Sequence, residues 1–422
     1  MNKRIYYFGV LVSSILLLSG CATMSLGISD PQGWRDRQKK EFEAILASDK
    51  YASLCGLEGL YKQYKATKDT KLLTKLLVGY VQNLANSCID RASFKAIEKQ
   101  KQENKIHTSY TFYLQDAPAS SIISKLQNGA PISGILAPYI PKNPQFKRLL
   151  AKYKRGDASK ANMKKIRMSL ERSKVMRDSG WNTYFLVNVP EFMVYFVENG
   201  KTKFSFPVVV GKKDWQTPIF SSKMKYVVLN PTWNVPDNIA RREEIPKIIK
   251  NKNFLKRKNM IVLKSYDLNE KPIDPRKINW KKFLSPEYQK KAIPYKIIQL
   301  PSKSNALGRV KFMFPNKHSV YMHDTNAKSL FKNSYRAYSH GCIRLSKPMM
   351  MLDYLAKSGY LVTNKANVDK FMASKELKYV NLKQPIPVHI GYFTAFVKDN
   401  GAIKYSPDVY GFDSLMKLKK GY

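Results

Sequence analysis

Residues 318–345 read HSVYMHDTNAKSLFKNSYRAYSHGCIRL, and they gather three of the chain's five histidines ahead of one cysteine, Cys342. The attacking form of a cysteine is the thiolate. A free thiol titrates near about 8.5, so a nucleophilic Cys needs a base or a cation beside it. Histidine supplies either role near neutral pH. His340 is two residues from Cys342 and would share its face on an extended segment. His323 closes a separate apolar run, Val320-Tyr321-Met322, from which it could reach the thiol through space. Gly341 lets the backbone approach a substrate, and the N–H groups of Gly341 and Cys342 are candidate donors to an oxyanion. Arg344 offers a planar fork for a carboxylate. His323, His340 and Cys342 are also zinc-ligand types, but no second cysteine falls at ligand spacing, so neither metal nor cofactor is expected.

Around this window the apolar pattern is that of strands. Tyr184 to Val187 predicts one, and Phe192 to Phe206 predicts a hairpin turning at Asn199-Gly200, continued by Val208-Val209-Val210. Tyr226 to Leu229, Val310 to Phe314 and Val320 to Met322 predict three more. Past Cys342, Ser346 as N-cap, Pro348 in the first turn and Gly359 beyond the end predict a helix. Tyr360-Leu361-Val362 then reads as a strand, and Val388 to Tyr405 as a second hairpin turning at Asn400-Gly401. Residues 241–305 interrupt the pattern. They read as helical or irregular, and from Lys247 to Lys291 they hold fourteen Lys or Arg against four acids.

Upstream the period changes. From about Trp34 to Arg177 apolar residues recur at helical spacing, as in Phe42 with Ile45-Leu46, then Leu72-Leu73, Leu76-Leu77 and Tyr80-Val81. Five prolines from Pro118 to Pro144 divide this region. The expected fold class is therefore α+β. A helical scaffold (35–178) precedes a mostly-β, sandwich-like catalytic domain (180–365) with an inserted helical, basic cap (241–305). A C-terminal segment (366–422) packs its hairpin on that domain.

Residues 1–20 have a basic start and a short apolar run, which together predict an export signal. Leu18-Ser19-Gly20-Cys21 resembles a bacterial lipobox, which implies lipidation of Cys21, a tether over 21–34, and residence in the envelope, at the outer membrane facing the periplasm. Cys55 and Cys88 could pair on that oxidising route or remain two buried thiols. Cys342 is left without an obvious partner.

His323 followed by eighteen residues and Cys342, with Ser339-His340-Gly341-Cys342 and Arg344, resembles the signature of L,D-transpeptidases of the YkuD type. Val210-Gly211 with Thr217-Pro218, NPTWNVP at 230–236 and GRVKFMFPN at 308–316 are similar to the YcbB-like members in particular, which carry an inserted capping subdomain. The resemblance covers about 145–410, and no wall-binding module stands between scaffold and catalytic domain. It implies Cys342 as nucleophile, His323 as general base and acid, His340 as a further catalytic residue, and Ser339, Gly341, Arg344 and Tyr321 at the substrate or oxyanion. The implied reaction is acyl transfer from tetrapeptide stems of peptidoglycan, releasing D-Ala and making 3-3 cross-links through a thioester. Hydrolysis of that thioester (an L,D-carboxypeptidase), attachment of an envelope protein to the wall and a non-catalytic tether are the alternatives.

The formal net charge is +43. An exported chain without a nucleic-acid motif would not meet nucleic acid, but it would meet a membrane surface and the carboxylates of the wall. The expected partners are donor and acceptor stem peptides and the membrane through the lipid, with cell-wall synthases as further candidates.

Overall fold

The computed structural model describes residues 33–289 and 291–420. The export signal, Cys21 and all but the last two residues of the expected tether lie outside them. Trp34, at the tether's end, is buried and donates its Nε1–H to Thr74 Oγ1 at 2.8 Å, so the packed part of the chain starts earlier than expected.

Eight α-helices lie between Asp36 and Lys174, and the chain is α+β overall. Their periodic residues, among them Phe42, Leu76, Leu77 and Leu84, form one apolar core. Asp69, Asp90 and Ser159 cap helix N-termini with their side chains. Between these helices runs an extended stretch that helical periodicity did not reveal. His107 and Tyr110 form parallel bridges to Trp215 and Ile219, tying scaffold to catalytic domain.

Among the described residues fourteen strands follow: β1 (Tyr184–Asn188), β2 (Met193–Glu198), β3 (Lys201–Gly211), β4 (Phe220–Leu229), β5 (Trp233–Asn234), β6 (Met260–Leu263), β7 (Lys296–Gln299), β8 (Val310–Met313), β9 (Met322–His323), β10 (Ala337–Ser339), β11 (Ile343–Leu345), β12 (Lys378–Gly391), β13 (Ala395–Val397) and β14 (Ile403–Tyr405). Nine of them form the main sheet in the order β10-β3-β11-β9-β8-β4-β12-β1-β2. β3 also pairs with β2, so the sheet folds over and closes on itself. The first residues of β3 serve β2, and its last serve β11 and β10.

β1 is buried along its whole length because it has two covered faces. Phe185 and Val187 point into the sheet's own core, while Tyr184 and Leu186 point into the helical core. The two-residue alternation of a strand thus joins the two halves of the molecule.

Three expectations are corrected. Residues 241–305 are not only helical or irregular: β7 pairs with β6 on one side and with β5 on the other in a three-stranded antiparallel sheet. It packs its own core around Val235, Ile245, Trp280 and Phe283. Tyr360-Leu361-Val362 is not a strand, and only Leu361 bridges, to Leu382. The helix after Cys342 spans Pro348–Lys357 and follows Lys347, so Ser346 is not its N-cap. Gly359 lies just past its end at φ +72°.

Candidate active site

Alternation builds the site. Along β4, β8, β9 and β11 one set of residues fills the core: Val227, Leu229, Val310, Phe312, Met322, Ile343 and Leu345. The intervening residues Tyr226, Val228, Lys311, Met313, His323 and Arg344 line a cavity of about 790 Å³ on the other face, together with Ser319, Tyr321, His340 and Cys342. Register aligns them further. Lys311 stands opposite His323 on β8–β9, and His323 opposite Arg344 on β9–β11. Adjacent strands are about 4.8 Å apart, so His323 sits in one row between two cations.

That row sets the protonation of His323. Burial, then the charge of Arg344, then Lys311 and Lys328, push its imidazole down to about 3, against the bond to the Asp324 carbonyl, so it is neutral at pH 7. Nδ1–H donates to the carbonyl of Asp324, which leaves the Nε2 lone pair free to accept a proton. The Asp324 carboxylate is itself fixed. It accepts from the Arg309 N–H at 2.9 Å and the Thr325 N–H at 2.7 Å, and it pairs with Lys328.

Cys342 is half-buried, free of disulfide, and its Sγ lies 3.8 Å from the Ser319 carbonyl. Burial pushes the thiol up, while hydrogen bonding to Tyr321 and the charges of Lys311 and Arg344 pull it back. The resting group is therefore a thiol in the same cavity as a neutral base. Ser319 holds φ +55°, and Asn316 braces the turn, its Oδ1 accepting from the His318 and Val320 N–H groups.

The loop carrying Cys342 is fastened from below. Ser339 Oγ donates to the Cys342 carbonyl at 2.6 Å and accepts from the Gly341 N–H at 3.2 Å. The Gly341 N–H is therefore occupied, which corrects its expected role as a free oxyanion donor. The Gly341 carbonyl accepts from Thr217 Oγ1 at 2.9 Å, and Thr217 Oγ1 in turn accepts from the Gly211 N–H at 2.8 Å. Gly341 sits at φ +105°, where other residues are strained. Gly211 is held by contact instead, since a Cβ there would meet the Trp215 carbonyl at 2.1 Å.

His340 faces the inserted cap. Its Nε2 lies 2.7 Å from Glu243, and its ring meets Trp215 edge-on at 4.8 Å. Trp215 is stacked at 4.4 Å on His107 and lies under the Arg242 guanidinium. The expected site residues Tyr321, His323, Ser339, His340, Cys342 and Arg344 thus share one cavity, with Gly341 in the loop beneath. Lys311, Ser319, Asp324 and Glu243 were not foreseen, and Thr217 entered only through the resemblance; Lys311, Thr217 and Glu243 are placed by elements distant in sequence from Cys342, while Ser319 and Asp324 act through backbone turns that the sequence does not display. For Lys311 a signal existed: a lysine between Val310 and Phe312 in a buried strand. Among the described residues no cluster of His, Cys, Asp and Glu could hold a metal ion. His389 is remote from this cavity, stacked on Trp181 at 4.0 Å and 2.8 Å from Ser221 Oγ.

A loop-borne cysteine and a tautomer-fixed histidine thus share one cavity on the open face of the sheet. Residues 182–362 match the family model YkuD, the L,D-transpeptidase catalytic domain. A Haemophilus influenzae protein named "Putative L,D-transpeptidase" is 31% identical over 255 residues, covering 60% of this chain and 49% of that protein. The chain thus spans about half the length of that curated relative. Among solved structures, an L,D-transpeptidase from Mycobacterium smegmatis is 11% identical, covering 50% of this chain and 58% of the other at a TM-score of 0.22. L,D-transpeptidase 1 of Mycobacterium tuberculosis is 12% identical over 50% and 61%, with a TM-score of 0.18.

Proposed function

We propose that the chain is a peptidoglycan L,D-transpeptidase of the YcbB-like kind. The observation that carries this is His323, neutral, with its tautomer set by the Asp324 carbonyl, in the same cavity as Cys342. As Sγ attacks the carbonyl of the third stem residue, its proton passes to His323 Nε2. The Cys342 N–H, which makes no hydrogen bond within the described residues, donates to the oxyanion. Collapse expels terminal D-Ala, whose amine takes the proton from His323, and leaves a thioester. A side-chain amine of a second stem then attacks the thioester, loses its proton through His323 and restores the thiol.

Hydrolysis of the thioester would make the protein an L,D-carboxypeptidase. The cap favours the cross-linking reading, because Trp233, Glu243, Lys247, Phe254 and Met260 wall the same cavity as Cys342. An enclosed thioester waits for an ordered acceptor better than an open one. Purified tetrapeptide muropeptides incubated with the enzyme should yield dimers that have lost one D-Ala, seen by mass spectrometry. Tripeptide without dimers would instead establish the carboxypeptidase, and no change would return the chain to the tether reading.

The proposal extends to place: export, lipidation at Cys21 and an outer-membrane position facing the periplasm. Radiolabelled fatty acid should enter the full chain in cells and not its Cys21→Ala variant.

A further inference from the structure

The cavity around Cys342 holds four cations, Lys247, Lys258, Lys311 and Arg344, and two acids, Glu243 and Glu244. Both acids are engaged: Glu243 with His340, and Glu244 with Lys247 at 2.8 Å. Arg344 and Lys311 have no ion pair or side-chain hydrogen bond among the described residues. Lys311 is the more unusual of the two. It issues from β8, a strand buried on its other face by Val310 and Phe312, and its Nζ lies 4.2 Å over the ring of Tyr321. A half-buried ammonium without an anion is still costly, and a strand facing only solvent gains nothing from one. Its place beside His323, in the row that ends at Arg344, aims it at the space a substrate must fill.

We infer that Lys311 is a specificity-determining residue that binds a carboxylate of the acyl-donor peptide, with Arg344 as the second point of an anion receptor. This rests on the proposed reaction at Cys342. A tetrapeptide donor brings two carboxylates near the scissile bond when its third residue is a diamino dicarboxylic acid: one on that residue's side chain and one at the chain terminus. Either is within the chemistry of Lys311. An ammonium–carboxylate contact made in a partly dry cavity discriminates strongly against the neutral amide.

The test uses the full-length enzyme, excess acceptor and three donors: the parent tetrapeptide, the form amidated on the third-residue side chain, and the form amidated at the C-terminus. The readout is kcat/KM for release of the fourth residue, with wild type, K311M, K311Q and K311R. One amidation is expected to lower wild-type kcat/KM by about tenfold to a hundredfold. K311M and K311Q should lose a similar factor on the parent donor and no longer distinguish it from that amide, while K311R keeps the distinction. Which amide behaves so identifies the carboxylate held. Equal loss on all three donors in K311M and K311Q, or indifference of the wild type to both amidations, overturns the receptor while leaving the proposed reaction standing. Failure of the wild type on every donor removes the proposed reaction itself, and the receptor with it.

Discussion

At the scale of single residues, the proposed chemistry rests on what surrounds two side chains. Replacing Cys342 by Ala removes one sulfur from a half-buried position that makes only a long contact to Ser319. D-Ala release should fall to background while the melting temperature moves by no more than about 2 °C, read by differential scanning calorimetry. A large drop in melting temperature would mean that Cys342 serves packing. The histidines make a second prediction. His323 and His389 are each held down to about 3 by burial, against an ordinary 6.5. Below pH 6.5 the unfolded chain takes up protons that the folded chain refuses, so each costs about 1.4 kcal/mol of stability per pH unit as pH falls toward 3. Above 6.5 neither contributes. His389→Gln should lessen the acid slope of unfolding free energy between pH 6 and 4 by that amount, measured by urea titration. An unchanged slope would show that His389 titrates normally.

At the scale of elements, the loop before β11 depends on a residue from another loop. Thr217 Oγ1 bridges the Gly211 N–H to the Gly341 carbonyl, and the Tyr410 hydroxyl accepts from the Thr217 N–H and donates to the Gly211 carbonyl. Thr217→Val keeps shape and removes the bridge. It should cost about 1–3 kcal/mol of stability, because buried polar groups lose their partner. It should also lower kcat/KM tenfold or more, since Cys342 is the next residue after that carbonyl; an unaltered kcat/KM would detach Thr217 from catalysis. The hairpin at Asn199-Gly200 was legible because its turn residues take positive φ, 51° and 72°. The long central strand β12 was not. Pro385 and Pro387 argue against a strand; Pro385 is tolerated because it falls where the β4–β12 register shifts, between Asn381 and Ile386, while Pro387 stands in the ladder opposite Lys223. β6 and β7 were hidden by the lysine-rich composition around them, which reads as surface although the alternate side chains Val262 and Ile297 are buried.

At the scale of the whole molecule, buried charge and a disulfide join parts far apart in sequence. Arg172, on the last scaffold helix, pairs with Asp413 near the C-terminus at 2.6 Å. Asp413→Asn leaves the guanidinium without a counter-charge and should destabilise the protein by about 3–5 kcal/mol, read by chemical denaturation. A change below about 1 kcal/mol would mean that Tyr392 and Met416, which also contact Arg172, suffice. Cys55 and Cys88 are bonded in the scaffold, beside the buried group of Arg167, Glu171 and Lys174. By itself the sequence determined the division into helical and β-rich parts, because burial on one face imposes a period of 3.6 or 2. It also singled out the window from His323 to Arg344, whose side chains line one cavity, because few residue types suit acyl transfer and these lie close together in the chain. Only the tertiary structure decided that Lys311, His323 and Arg344 form one row. The register between strands is set by side chains packing across the sheet, and no stretch of sequence read alone contains it.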